Sequence, residues 1–337
     1  MNESPEARPT AGATGLQVLR LKLQLEAREE GALPPFLGST LRGGLAWAMR
    51  EACCATPAAP DCQGCQVAPR CLYAQLFEPQ AGGGDRWLDG VRDAARPYVV
   101  EPPLGRTPDG RWWEFRRGAP LSFDLLLVGP AVYAVPALLA GIRTMADRGL
   151  GARRHGFRLA GAAIEEPLGS GRSVAILDPV TGRFCRDFSP SLLSLDVSPS
   201  VTPNTTESIT LTCLTPLRLV VDGRPLRGPG LPFHSLIAAL LRRLSSLAAF
   251  HGPGPLDVDF RTLVQQAREI ETVATDLRYC DWSRESSRQG QDVALGGLLG
   301  SVSWRGPLAP YRWLLDAGEQ LHVGKGAVFG LGRYRLD

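Results

Sequence analysis

The sequence predicts an α+β chain of two domains, each a β-α-β-β-α-β unit, the first carrying a cysteine-rich insertion. Three observations carry that expectation. Short runs of alternating hydrophobicity give way to helical apolar stripes, in the same order in both halves. Each half then closes on a glycine- and cation-rich loop followed by a strand bearing arginines, at residues 149–159 and 324–336. Between the halves lies a Ser-, Pro- and Thr-rich stretch, residues 191–208, that reads as a linker or exposed crossing segment. A chain of 337 residues is long enough for two cores of this size.

Residues 1–14 are polar, with neither the basic nor the apolar region of a secretory signal, and read as a disordered tail. The first domain is expected over residues 15–190. Leu19, Leu21, Leu23 and Leu25 alternate with Arg20, Lys22, Gln24 and Glu26, the pattern of a half-buried strand. After a turn, Ser39 or Thr40 caps a helix with Leu41, Leu45, Ala48, Met49 and Ala52 on its apolar face. Gly43 and Gly44 weaken that helix and let something approach it closely. Residues 82–118 read as short strands and a long loop, with Trp112 and Trp113 either stacking on unpaired bases or packing the loop. Residues 121–128 are a strand. Residues 130–148 are a helix burying Val132, Val135, Leu138, Leu139, Ile142 and Met145, with Pro136 arguing for a later start. A glycine loop with Arg153, Arg154 and His155 leads to a strand at 157–159 that carries Arg158. This order is that of a ferredoxin-like, or RRM-like, unit.

The second domain, residues 209–337, restarts the pattern. Strands are expected at 209–214 and 217–221, then a helix over 233–250 with Leu236, Leu240, Leu244 and Leu247 on one face and Arg242 and Arg243 off it. Residues 263–277 read as a further helix, 278–282 and 298–304 as paired strands, and 308–318 as a short helix. The closing glycine-rich loop, residues 323–333, contains Gly324, Gly326, Gly330 and Gly332. Its density of glycine fits either a phosphate cradle or a tight turn before the last strand, where Arg333 and Arg335 alternate with Tyr334 and Leu336.

Bulk properties exclude little. The chain is 44% hydrophobic and 21% charged, has no run of 18 apolar residues, and carries a net charge of only +3. Lysine occurs at Lys22 and Lys325 alone among 37 basic residues, so the cations are nearly all arginine forks, suited to phosphate and bases. A GC-rich genome would bias composition the same way. Of eight cysteines, Cys185, Cys213 and Cys280 read as core residues and the other five cluster between Cys53 and Cys71. With no export signal, this cluster suggests a metal site in a reducing, cytoplasmic setting rather than disulfides. Cys54, Cys62, Cys65 and Cys71 offer four thiolates, which predicts a structural zinc knuckle; an iron–sulfur cluster and free thiols are the alternatives.

At this point the motifs resemble one family. Gly38-Ser39-Thr40-Leu41-Arg42-Gly43, the run Cys71 to Glu78, Leu214-Thr215-Pro216-Leu217-Arg218-Leu219, Gly296 to Val302, and His322-Val323-Gly324-Lys325 through Phe329-Gly330-Leu331-Gly332-Arg333-Tyr334 resemble the CRISPR precursor-RNA processing endoribonucleases of the RAMP superfamily. The resemblance implies CRISPR repeat RNA and its crRNA product as partners, CRISPR effector subunits as further ones, and no membrane. It implies metal-independent cleavage, in which a 2′-hydroxyl attacks the adjacent phosphate to leave a 2′,3′-cyclic phosphate and a 5′-hydroxyl. Many relatives place a histidine in or near the first helix, whereas this chain has none before His155. His322 is therefore the first candidate for proton transfer, with Lys325 steadying the phosphate, and His155 the second. His234 and His251 read as a cap and a surface residue. Arg42, Arg153, Arg154, Arg158, Arg242, Arg243, Arg333 and Arg335 are the expected RNA-binding cations, beside the four loop glycines. Two other classes stay open: a non-catalytic RAMP-type subunit that binds crRNA inside an effector complex, and a zinc-bearing nucleic-acid module outside CRISPR.

Overall fold

Two antiparallel sheets, each with helices on one side, share a continuous interface. The computed structural model describes residues 15–56, 58–80, 94–104, 110–178, 181–184, 187–195, 206–286 and 291–337. In the first half, strand β1 (Gly15–Ala27) leads to helix α1 (Gly38–Cys53), the short α2 (Leu72–Phe77), strands β2 (Tyr98–Glu101) and β3 (Pro120–Val128), helix α3 (Val135–Arg148) and strand β4 (Phe157–Glu165). The sheet runs β2-β3-β1-β4, with short edge strands at Ser173–Ala175 and Ser191–Ser194. In the second half, β5 (Glu207–Leu217), α4 (Phe233–His251), α5 (Phe260–Gln266), β6 (Glu271–Cys280), β7 (Gly297–Gly306), α6 (Arg312–Leu321) and β8 (Tyr334–Leu336) repeat the scheme, and the sheet runs β6-β7-β5-β8. The two sheets have the same strand order once the main strands are matched, and all neighbours are antiparallel. This is a mixed α+β architecture in which the expected repeat is visible.

Alternation explains β1. Leu19, Leu21, Leu23 and Leu25 are all buried and face α1 and α3. Leu21 sits between Leu125 of β3 and Ile164 of β4. The two helices come together at glycines: a Cβ on Gly44 would lie 2.9 Å from Met145 Cγ, and one on Gly141 only 2.5 Å from Met49 Sδ. The weakness that Gly44 brings to α1 is thus exchanged for contact with α3. Helix α3 begins at Val135, after a 3-10 turn over Gly129–Ala134, as Pro136 requires.

The opposite face of the first sheet is not solvated. Leu16, Val18, Val99, Leu126 and Val128 join the buried cluster built from β5, α4 and α6. That cluster centres on Phe233, Trp304 and Tyr311, whose rings meet edge to face with centroids 5.2 and 5.1 Å apart, and Trp304 donates its indole N–H to the Leu231 carbonyl. One apolar helix, α4, has the length and composition of a membrane span, but Leu236, Leu240, Leu244 and Leu247 are packed into this core.

Several expectations are corrected. The helix anticipated over 263–277 is helical only to Glu269 and continues as β6. The segment Glu271 to Thr275 is exposed on both faces, so it has no amphipathic period to read, and pairing with β7 decides its structure. Part of the expected linker, Ser191–Ser194, pairs with β1. Ser39 and Thr40 do not cap α1, which starts at Gly38 behind Leu37 with no side-chain cap. Pro232, not His234, holds the N-cap of α4, and His251 is largely enclosed, its Nε2 bonded to the Ala95 carbonyl. Cys213 and Cys280 are buried as expected; Cys185 lies outside the described residues.

The zinc knuckle is not supported. Among the described residues no group of three or more His, Cys, Asp or Glu side chains is placed to hold a metal ion. Instead Cys62 is buried beside Glu78, whose carboxylate accepts the Cys62 backbone N–H at 2.9 Å. Burial, and then the Glu78 charge, push the Cys62 thiol up to about 11. The C-x2-C spacing proposes ligands; the chain after Cys65 folds into a 3-10 turn over Ala68–Arg70 and, beyond Cys71, into α2, whose buried residues join the core of α1.

Candidate functional site

The closing loop is shaped by its glycines and by the strand behind it. Gly324, Gly326, Gly330 and Gly332 all have φ between 69° and 90°, the left-handed region that side chains avoid. The bare Cα faces protein at all four: a Cβ would come within 2.4 Å of the Arg218 carbonyl at Gly324, and within 1.8 Å of the Val323 carbonyl at Gly332. The glycines therefore serve turning and packing rather than a cradle open to a ligand. Thr215 pins the loop by donating its hydroxyl to the Gly330 carbonyl at 2.8 Å and accepting the Arg333 N–H at 2.9 Å. The Arg218 carbonyl accepts the Lys325 N–H at 2.8 Å. The motif Leu214 to Leu219 and the glycine loop, separate in sequence, are thus one structure.

This loop docks on the first half of the chain at the start of α1. A Cβ on Gly38 would sit 1.8 Å from the Phe329 carbonyl, so only glycine permits the approach. A Cβ on Gly330 would lie 2.6 Å from the Val100 carbonyl, inside β2, and 2.4 Å from Pro102, just beyond it. Arg42, one turn into α1, sits over the rings of Phe77 and Phe329, 5.7 and 5.8 Å from their centroids, and donates Nε–H to the Tyr98 hydroxyl at 3.1 Å. Helix α1 has no acidic residue in its first turn and no side-chain cap, so its first N–H groups carry an uncompensated positive end. The buried Ser39 hydroxyl has no hydrogen-bond partner among the described residues.

Behind this junction lies a buried charge network that sequence reasoning missed. Glu101, at the end of β2, bonds to Arg20 at 3.1 Å and His322 Nε2 at 3.0 Å, with Arg333 3.6 Å away; Arg20 also bonds Glu165 at 2.9 Å. Burial alone would raise the Glu101 carboxyl, but His322, Arg20 and Arg333 outweigh it and bring it down to about 2. Asp124 across the strand is pushed the other way, to about 6, by burial and by the Glu101 charge. The only hint in the sequence was Arg20, on the polar face of a strand whose other face is leucine; its partners are 81 and 145 residues away.

The candidate residues divide accordingly. His322 is 0% exposed, has φ +58°, and engages both ring nitrogens, Nδ1 lying 3.2 Å from the Leu331 carbonyl. Burial lowers its pKa against the pull of Glu101. Lys325 is exposed and belongs to a cleft beside α4 that also contains Arg242. Arg243 bonds the carbonyls of Leu321 and His322 at 3.0 and 3.1 Å, supporting the loop from below. Arg335 pairs with Asp337, and Arg158 forks onto Glu26 at 3.1 and 2.6 Å. His155 packs edge-on against Phe115 with Nδ1 3.6 Å from Glu29, at the Ala27 end of β1. Arg20 is seven residues back along that strand, about 23 Å. The two glycine loops are therefore at separate places, and Arg153 and Arg154 are exposed at the first.

Comparison with known proteins follows this division. Residues 16–184 match the AF_1859_N family, described as an N-terminal domain, and residues 211–334 match the CRISPR-associated endoribonuclease Cas6 family. An uncharacterized protein of Archaeoglobus fulgidus is 27% identical over 330 residues, 95% of this chain and 98% of its own. In fold, the chain is similar to a Thermus thermophilus Cas6 in its product complex, with TM-score 0.54 and 16% identity over 95% of this chain and 99% of that one. It is also similar to a chain of a partial Cas6-RT-Cas1–Cas2 complex, with TM-score 0.54 and 12% identity over 96% of this chain but 46% of the longer one. The second match spans the glycine loop and the Thr215 motif that holds it, so residues 211–334 are similar to the Cas6 endoribonucleases, while by the first match, over half of its length, the chain belongs to the AF_1859_N family.

Proposed function

We propose that this protein binds the repeat of a CRISPR transcript and cuts it without a metal, on a tandem ferredoxin-like scaffold, at the junction of α1 and the glycine loop. The observation that carries this reading is the docking of the Cas6-matched loop on the N-terminus of α1, with Phe329 against Gly38 and Arg42 beneath it. A 2′-hydroxyl attacks the adjacent phosphorus; the O2′–P bond forms, the P–O5′ bond breaks, and the proton lost from O2′ is replaced by one gained at O5′. The N–H groups at the start of α1, the unpaired Ser39 hydroxyl and Arg42 supply positive charge where the phosphorane accumulates negative charge. Fixing the RNA in line supplies the rest. His322 acts as a positioning residue through Glu101, and the proton passes to solvent. The proposed partners are repeat RNA, the retained crRNA and CRISPR effector subunits.

A second reading rests on one observation: His322, the histidine behind the junction, has both ring nitrogens engaged, by the Leu331 carbonyl and by Glu101. That favours a subunit that binds repeat RNA and cuts it poorly. Incubation of the protein with its repeat RNA in EDTA separates the two. A single cut ending in a 2′,3′-cyclic phosphate is expected, and Arg42→Ala is expected to slow it about 100-fold with binding retained. RNA that is bound but left intact would establish the second reading; a cut that requires metal would overturn the first.

A further inference from the structure

The glycine loop has a second surface, turned to α4. Arg218, Arg242, Arg243 and Lys325 line a cleft of about 410 Å³ together with Ser246, and among the described residues no carboxylate lines it. Two of these cations are incompletely satisfied. Arg243 spends Nε on the Leu321 and His322 carbonyls, and its buried Nη2 has no partner among the described residues. The buried Arg218 Nε likewise has no partner among the described residues. Burial lowers Arg243 to about 10. Buried guanidinium nitrogens are ordinarily paired, and four cations in one cleft repel each other until an anion enters. Arginine forks favour phosphate oxygens over a spherical ion.

We propose that this cleft binds a backbone phosphate of the RNA, a few nucleotides from the scissile one, and thereby sets the register of the cut. The inference rests on the RNA-processing reading above. Lys325 in the cleft and Phe329 at the α1 junction are four residues apart, at most about 14 Å, which is within the span of a few nucleotides. The cleft and the junction are two surfaces of one loop, so a strand anchored at the first is positioned at the second.

The test uses the full chain and repeat RNA, carrying one 2′-deoxynucleotide at the mapped cut where the protein cleaves it. Arg242→Ala and Lys325→Ala remove exposed side chains and leave the Arg243 bonds in place, so the fold is retained. Each is expected to weaken binding about threefold to tenfold and to lower the slope of log affinity against log salt by about 0.7 to 1. On cleavable RNA the double variant is expected to spread its products to neighbouring positions. In a parallel arm, inorganic phosphate should raise the melting temperature of the wild type more than that of the double variant. Wild-type protein that binds RNA, with an unchanged slope in the double variant, would overturn the cleft alone. Wild-type protein that binds no repeat RNA would overturn the RNA-processing reading too, and phosphate protection lost in the double variant would then mark a site for a free anion instead.

Discussion

The two glycine-rich loops look alike in sequence and do different work. Each follows a helix, precedes a strand and carries arginines. The first, residues 149–156, closes on itself: Leu150 and His155 exchange backbone hydrogen bonds at 3.0 and 2.8 Å, and Gly149 ends α3 by bonding Ala146 and Met145. It leaves Arg153 and Arg154 in solvent. The second is built into the other domain, through Gly38 against Phe329, Gly330 against Val100 and Pro102, and His322 against Glu101. A glycine loop becomes part of a site when its bare positions are filled by a partner surface. Mutations that separate docking from exposure therefore test the comparison.

The largest effect is expected at the network under the second loop. Glu101→Gln leaves Arg20, Arg333 and His322 without their shared anion and is expected to cost about 3–5 kcal/mol in stability. The pH dependence identifies the group. The folded-state carboxyl lies near 2 against an ordinary 4.5, so its stabilisation is present above pH 4.5 and is lost as pH falls toward 2. Asp124 has the opposite sign, because its folded value is raised from 3.8 to about 6: its contribution grows as pH falls from 6 to 3.8 and offsets part of the loss at the top of that acid window. His322, lowered from 6.5, also loses stability on acidification, beginning below pH 6.5. Denaturant midpoints measured from pH 7 to 2.5 should fall steeply below pH 4.5 in the wild type and flatten in Glu101→Gln. An equally steep fall in the variant would place the acid-sensitive group elsewhere.

How legible this was depended on range. The strands of leucine alternation, the α3 stripe and the α4 stripe were readable because their signal repeats every two or 3.6 residues within one element. Strand β6 was not, because both its faces are exposed along its first half. The glycine loop was visible as a motif, yet its partner at Gly38 lies 291 residues earlier in the sequence, and nothing local distinguishes a glycine that permits docking from one that permits a turn. His322 was singled out for being beside the loop; its burial follows from Glu101 and Arg20, which carry no spacing signature. The cysteines erred in the other direction: their spacing suggested a ligand set, and among the described residues no group of three or more such side chains is placed to hold a metal ion.

The next effect belongs to the docking contact itself. Gly38→Ala puts a methyl group into the Phe329 carbonyl, and overpacking of this kind costs about 1–3 kcal/mol. Alanine favours the helix, so helix propensity works against the loss and makes it diagnostic. The expected result is a lower melting temperature and a slower cut with RNA affinity held within about twofold. A variant as stable as the wild type would mean that the loop does not bear on α1. Arg153→Ala probes the first loop, where no packing is at stake. Stability should be unchanged, and the salt slope of RNA binding should fall by about 0.7 to 1 if that surface meets a phosphate. An unaltered slope would remove the first loop from the RNA path.

The smallest effect is expected at Arg158, two residues past the first loop. Sequence groups it with Arg153 and Arg154 as a phosphate ligand. The fold instead pairs it with Glu26 across β1 and β4, with the guanidinium about half exposed. An exposed pair of this kind contributes about 0.2–1 kcal/mol, and its fork is already engaged. Arg158→Ala should therefore shift stability by less than about 1 kcal/mol and leave the salt slope of RNA binding as it is in the wild type. Measured beside Arg153→Ala, it distinguishes a cation that is near the loop from one that is available to a ligand. A slope reduced as much as in Arg153→Ala would show that RNA displaces Glu26, and would extend the first loop's surface along β4.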